Sequence, residues 1–313
     1  KLEFQMEDDE ADAEKAVNAY NTLKDNGMKV FIGTVTTGAC LSVISQTKAD
    51  NMFQITPSAS AAKVIANDNC FQVCFTDPNQ GTASADYIAS KGLATKVAVI
   101  YNSSDAYSSG IYDNFKAEAA AKGLDLVASE AFTGDSKQDF SSQLSKIKAS
   151  GAELIFLPIY YQEASLILSQ AKNAGITAKF FGCDGLDGLL NIENFDKSLA
   201  ENVMLLTPFA ANATDETTKK FVAAYNAKYD PSTLNQFAAD AYDAVYVVKA
   251  AAEKAGVTGD MSVSDICNAL KGAMTEITVD GVTGSGMTWK ATGEVNKEPK
   301  AVKIENGEYQ PMD

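Results

Sequence analysis

"VAVIYNSSDAYSSG", Val97 to Gly110, decides how the chain folds. Its first five residues are apolar and rich in β-branched side chains. The run is too short for a helix and is bounded by turn residues, so it predicts a buried strand. Asn102-Ser103-Ser104-Asp105 then reads as a loop, and Ile111 and Phe115 continue at helical spacing. A helix, "TASADYIASKG" (Thr82 to Gly92), precedes the strand. Helix, buried strand and helix in succession are the repeating unit of a parallel sheet.

The same punctuation recurs outward from this stretch. Ala13, Ala16, Val17, Tyr20 and Leu23 mark one helical face that ends at Lys24-Asp25-Asn26-Gly27, before a strand at Val30 to Ile32. Lys148 to Gly151 precedes the apolar run Leu154 to Leu157, and Lys172 to Gly175 precedes Phe180-Phe181. Lysine in a last turn suits the helix dipole, and glycine supplies the left-handed cap. The alternation predicts an α/β protein with right-handed crossovers, whose sites lie beyond the carboxyl ends of the strands. From Asp215 the pattern turns helical. "ETTKKFVAAYNAKY" and "QFAADAYDAVYVVKAAAEKAG" are two long amphipathic segments, and "SVSDICNALKG" is a shorter one that Ser264 or Ser262 can cap. Asn306-Gly307 predicts a hairpin turn. At the start, "KLEFQM" alternates like a strand, and the chain opens as if in mid-structure, which predicts a processed or trimmed N-terminus.

With 313 residues the chain is long enough for a large core and two lobes. It carries a net charge of −15 and contains neither histidine nor arginine. The acidity argues against a nucleic-acid partner and against a polybasic membrane anchor. Histidine triads, histidine metal sites and arginine clamps are excluded outright. Any bound anion must be held by backbone amides, hydroxyls or lysine. No apolar run approaches the roughly 20 residues of a membrane span. The five cysteines have no zinc-like spacing and read as buried thiols, with Cys70 and Cys74 too far apart along one strand to bridge.

Several strand ends are unusually rich in hydroxyls or tyrosine. "GTVTTGA" (Gly33 to Ala39) has the glycine spacing of a phosphate loop, but Ala39 and Cys40 replace the lysine and hydroxyl that should follow, which argues against a nucleotide. A helix starting near Gly38 still offers free amides to an anion, and Thr37 can add a hydroxyl, while Thr36 or Thr37 can equally serve as an N-cap. "TPSAS" (Thr56 to Ser60) ends the next strand in the same chemistry. "YNSSDAYSSG" and "PIYYQEA" place Tyr107, Tyr160 and Tyr161 at the ligand edge of a sheet. In "FGCDGLDG", Asp184 can meet an ammonium group, whereas Asp187 suits the N-cap of a helix near Leu189. The acidic run "EDDEAD" (Glu7 to Asp12) lacks calcium-loop spacing and suits a helix N-terminus. No catalytic motif, metal site or cofactor fingerprint is present.

Taken in order, "MEDDEAD", "VFIGTVTTGA", "FQITPSAS", "VCFTDPNQG", "VAVIYNSSDAYSSG", "FLPIYYQEA", "FFGCDG", "FAADAYDAV" and "DGVTGSGMTW" resemble the type I periplasmic binding proteins of the leucine/isoleucine/valine-binding family. These are solute receptors of ABC importers, and the resemblance covers nearly the whole chain. It implies two Rossmann-like lobes, parallel sheets flanked by helices, joined by a three-crossing hinge. Residues 1–77 plus 207–298 would form the N-terminal lobe, and 78–206 plus 299–313 the C-terminal lobe. The family's first strand and helix would be missing from this sequence. The resemblance implies a ligand held in the interlobe cleft with hinge closure. Its α-carboxylate would fall to Thr37, Ser60 and the Ser58 backbone, its α-ammonium to Asp184, and the aromatic wall to Tyr107, Tyr160, Tyr161 and Phe237. It further implies a monomeric, extracytoplasmic receptor, freed of its signal peptide, that delivers a small amino acid to a membrane permease without a cofactor or metal. The branched-chain aliphatics are the family default. A sensor domain of the same fold, or a site for an aromatic amino acid, an amide or a small peptide, is the alternative.

Overall fold

A computed structural model describes residues 2–312. The chain divides into two compact units and passes from one to the other three times. The first unit runs as far as Thr76 and resumes over Phe237–Lys297; the second comprises Asp77–Gln236 and the chain from Glu298 onward.

The first unit opens with α1 (Ala13–Asp25), capped by Asp12, whose carboxylate accepts the backbone N–H groups of Glu14 and Lys15. The acidic run ahead of it is therefore a helix start. β1 (Phe31–Ile32), α2 (Thr37–Ala49), β2 (Gln54–Thr56) and β3 (Cys70–Gln72) follow, and the strands pair in parallel in the order β1-β2-β3. The expected strand in "KLEFQM" does not form. Leu2, Phe4 and Met6 are exposed, and alternation alone makes no strand without a neighbour to complete its hydrogen bonds. Lys1 lies outside the described residues. β3 ends before Cys74, so Cys70 and Cys74 do not share a strand as expected. None of the five cysteines is in a disulfide, and all are buried.

In the second unit come α3 (Asp77–Ser90), β4 (Lys96–Asn102), α4 (Ala106–Ala121), β5 (Asp125–Phe132), α5 (Ser141–Ser150), β6 (Leu154–Leu157), α6 (Tyr161–Asn173), β7 (Lys179–Gly182), β8 (Met204–Thr207) and α7 (Glu216–Asn226). The chain then returns to the first unit with α8 (Gln236–Ala255) and α9 (Val263–Met274), the latter capped by Ser262. It closes in the second unit with β9 (Lys300–Glu305) and β10 (Glu308–Pro311), an antiparallel hairpin turned by Asn306 and Gly307, both at positive φ.

The second unit's sheet has the order β10-β9-β8-β7-β6-β4-β5 and is parallel from β8 to β5. Its inner strands are apolar on both faces because both faces are covered. Along β4, Val97 and Val99 face a cluster with Ile111, Phe115 and Phe156, while Ala98 and Ile100 face one with Ile155, Ile167 and Leu205. β5 and β6 lie on opposite sides of β4, so the strand order reverses there. Such a switch point opens a crevice at the carboxyl ends of the strands. The segments that leave β4, β6 and β7 carry Tyr107 in the first turn of α4, Tyr160 at the N-cap of α6, and Asp184.

The first unit's core joins its short sheet to α8 and α9. Phe53 and Phe71 stack with ring centroids 5.3 Å apart, among Val247, Leu270 and Met274. Trp289 seals this core and donates its indole N–H to the Gln72 carbonyl at 2.8 Å.

One boundary differs from expectation. Residues 207–236 belong to the second unit, not the first. Phe209 packs edge-on against Phe221 of α7, and the Asn212 side-chain amide donates to the Tyr309 carbonyl at 2.7 Å. These contacts fasten α7 to the sheet edge formed by β8, β9 and β10. The other two passages fall at 76/77 and 297/298.

Gly81 shows how tightly α3 and α4 pack. A Cβ there would lie 2.5 Å from the Ile111 carbonyl oxygen and 2.8 Å from the Phe115 nitrogen. Alanine in a helix interior normally gains up to about 1 kcal/mol over glycine. Gly81→Ala is expected to destabilise instead, by about 1–3 kcal/mol from overpacking. Chemical denaturation with a midpoint equal to or above that of the parent would contradict this packing.

Candidate functional site

In the first unit the ends of β1 and β2 are tied together by hydroxyls. Thr37, the first residue of α2, is buried, and its Oγ1 accepts the N–H groups of Ser60 and Ala61 at 3.2 and 3.4 Å. Thr56 also contributes structurally: its hydroxyl donates to the Thr34 carbonyl at 2.7 Å and accepts the Ala59 N–H at 2.9 Å. Thr36 occupies the N-cap position of α2, but its side chain makes no capping bond.

Two hydroxyls of this cluster, Thr36 Oγ1 and Ser60 Oγ, are buried with no hydrogen-bond partner. A buried polar atom without a partner costs about 1–3 kcal/mol, so a ligand oxygen that meets it recovers that cost. The first N–H groups of α2 lack intrahelical acceptors by helix geometry and point the same electrostatic way. Ser58 is buried, and its carbonyl already accepts the Cys74 thiol at 3.0 Å. Val35, on the same loop, is an exposed apolar side chain, and Phe237 in the first turn of α8 is half-buried. Thr36 and Val35 join the expected residues here. Their only sequence signal is membership of the hydroxyl-rich loop.

The second unit holds a buried acid. Asp184 follows β7 in a short 3-10 turn and is 2% exposed. Its Oδ1 accepts the Tyr107 hydroxyl at 2.6 Å, and the same hydroxyl accepts the Gly185 N–H at 2.9 Å. Gln80 accepts the Asp184 N–H, and the Gln236 amide donates to the Asp184 carbonyl at 2.7 Å. Tyr107 stacks on Tyr160, with centroids 4.7 Å apart. Glycine is required at 185, because a Cβ would lie 2.6 Å from the Tyr107 hydroxyl and 2.7 Å from the Ile159 carbonyl. Asp187 is not the N-cap expected of it. Gly188 takes that position before Leu189, and the Asp187 carboxylate accepts the Gln236 N–H at 2.8 Å, holding the start of α8. The structure thus brings Asp184, Tyr107 and Tyr160 together in one unit and Thr37, Ser58 and Ser60 in the other, with Tyr161 against Gly188.

Burial pushes the Asp184 carboxyl up to about 6, against the lowering effect of the Tyr107 hydroxyl. Asp187 is pushed up to about 7 by burial, opposed by the Gln236 N–H. Tyr107 is driven well above its ordinary value by burial and by the charge of Asp184, so it stays a donor. The neighbouring Cys183 thiol is driven up by burial as well, which makes it a poor nucleophile. Asp184 makes no ion pair among the described residues. A desolvated carboxylate that takes only neutral hydrogen bonds, from Tyr107, Gln80, the Gly185 backbone and Gln236, has the chemistry to receive an ammonium group.

The family description "Periplasmic binding protein" matches residues 1–308. The chain is a type I periplasmic binding protein. It is 32% identical over 263 residues to Leu/Ile/Val-binding protein homolog 3 of Brucella melitensis, covering 83% of this chain and 70% of that one. It is 28% identical over 272 residues to the leucine-, isoleucine-, valine-, threonine-, and alanine-binding protein of Pseudomonas aeruginosa, covering 86% and 71%. Among solved structures, a leucine binding protein, LivK, of Thermotoga maritima has a TM-score of 0.86 at 25% identity, covering 98% of this chain and 85% of that chain. LivJ of Streptococcus pneumoniae, a branched-chain amino acid transporter substrate-binding protein in complex with isoleucine, has a TM-score of 0.84 at 26% identity, covering 97% and 84%.

The raised carboxyls of this binding protein set the sign of its pH dependence. The Asp184 value lies above the ordinary 3.8, so the ligand-free fold takes up protons that the unfolded chain releases between about 4 and 6. Asp187 extends the window to about 7. These two groups therefore make the ligand-free protein more stable as pH falls through that window. Asp184→Asn removes the desolvation cost, and the ligand-free Tm at about pH 7.5 is expected to hold or rise by a few degrees. A Tm lowered by more than about 5 °C would show that Asp184 is structural rather than held ready for a partner.

Proposed function

We propose that this protein is the extracytoplasmic solute receptor of an ABC importer and binds a small α-amino acid, branched-chain aliphatics first, without chemically changing it. The observation that carries the reading is the buried, cation-free carboxylate of Asp184. An ammonium group supplies the charge it lacks. In the first unit, the unpartnered hydroxyl of Ser60, with Thr36, Thr37, the Ser58 backbone and the first amides of α2, suits a carboxylate. Tyr107, Tyr160, Tyr161, Phe237 and Val35 supply apolar surface for the rest of the ligand.

Composition fits this role. A net charge of −15 suits neither nucleic acid nor an anionic membrane surface. No helix among the described residues is long and apolar enough to cross a membrane. The receptor acts as a monomer and hands its ligand to a membrane permease. The named Leu/Ile/Val-binding relatives support the ligand class.

A thermal-shift screen of the twenty amino acids is expected to raise Tm with leucine, isoleucine or valine, by an amount that grows with ligand concentration. With the best ligand, Asp184→Ala is expected to weaken binding about 100-fold or more, since it leaves a buried ammonium unmatched. Thr37→Val and Ser60→Ala should each cost about tenfold. Unchanged affinity by calorimetry in Asp184→Ala would remove that residue from the site. Binding needs ionised Asp184, so affinity should fall about tenfold between about pH 7.5 and about pH 5, as the carboxyl takes up its proton near 6. A flat profile over that range would contradict the assignment.

A further inference from the structure

The second unit contains a half-open pocket of about 280 Å³ lined by Tyr161, Gln162, Asn191, Ile192, Glu193 and Asn235, with Gly188 in its wall. That volume lies at the small end of the roughly 300–1,000 Å³ usual for small-molecule sites. Its chemistry is one-sided. The lining has one acid, three amides and no lysine. Glu193 is exposed and makes no ion pair among the described residues. Asn191 donates its Nδ2 to the Leu234 carbonyl at 3.1 Å, which leaves an acceptor oxygen on that side chain. Tyr161 and Ile192 give an aromatic and an aliphatic wall. Gly188 lets the Tyr161 ring lie close to the backbone, since a Cβ there would sit 3.0 Å from the ring.

The residues that line the pocket adjoin in sequence the segments that hold Asp184. Gly188 ends the loop that begins at Asp184. Asn235 precedes Gln236, whose backbone N–H and side-chain amide hold Asp187 and Asp184. Tyr161 follows Tyr160, which stacks on the tyrosine bonded to Asp184. An aliphatic stem against Tyr161 and Ile192, with acceptors and one carboxylate beyond it, matches a side chain that ends in a cation. The Tyr161 face adds attraction for the same charge.

We infer that this cavity is a side-chain subsite for a basic α-amino acid, with Glu193 as the partner of its terminal ammonium, so that the receptor accepts lysine- or ornithine-like ligands beside aliphatic ones. This rests on the assignment of Asp184 to the α-ammonium. Calorimetry with L-lysine, L-norleucine and L-leucine tests it, because norleucine matches lysine without the terminal ammonium. The parent is expected to bind lysine at least tenfold more tightly than norleucine. Glu193→Gln, a change at an exposed position, is expected to remove that preference and leave leucine affinity within about twofold. If leucine binds while lysine binds no better than norleucine, or if Glu193→Gln weakens leucine and lysine equally, the subsite is wrong and the amino-acid reading stands. If no α-amino acid binds, the amino-acid reading fails and the subsite falls with it.

Discussion

The hydrogen bond from Tyr107 to Asp184 is the constraint on which the rest of the site depends. A carboxylate 2% exposed and without a cation is costly, and burial alone drives it toward its protonated form. The 2.6 Å bond from Tyr107, with further lowering by Gln80, the Gly185 backbone and Gln236, offsets part of that cost. Everything around the pair maintains that distance. Gly185 lets the backbone approach the hydroxyl, Tyr160 fixes the Tyr107 ring by stacking, and Gln80 and Gln236 hold the turn from either side. The strand order reverses at β4, which brings the loops after β4, β6 and β7 to one edge of the sheet.

The first unit solves the opposite problem with the opposite means. A sequence without arginine or histidine has no strong side-chain clamp for an anion. Its short strands end instead in hydroxyls that mostly bond backbone groups of the two loops, Thr56 with the Thr34 carbonyl and the Ala59 N–H and Thr37 with the Ser60 N–H. Two are left over, Thr36 and Ser60, and these are the ones a ligand oxygen can meet.

Much of this was legible in the residues. The run Val97 to Tyr101 followed by a polar loop announced a parallel α/β sheet, and Asn306-Gly307 announced the hairpin, because both signals are local. Asp12 and Ser262 at helix starts were legible for the same reason. The membership of residues 207–236 was not, since α7 is amphipathic in the same way whichever core it covers; only Phe209 against Phe221 and Asn212 against Tyr309 decide it. Gln236 looks like any surface glutamine at a helix start, yet it is fully buried and ties α8 to both acids. Asp187 was misread because local capping rules cannot foresee a partner 49 residues away. The strand expected in "KLEFQM" failed because periodicity predicts a face and not a neighbour.

Titration calorimetry at about pH 7.5 with leucine and its two half-molecules tests the zwitterion account most directly. One lacks the amine (4-methylpentanoate) and the other masks the carboxylate (leucinamide). Each loses one grip, so each is expected to bind about 5- to 150-fold more weakly than leucine, at about 1–3 kcal/mol per abandoned buried polar group. If 4-methylpentanoate bound as tightly as leucine, Asp184 would have no ammonium to receive, and the account would be wrong at its centre.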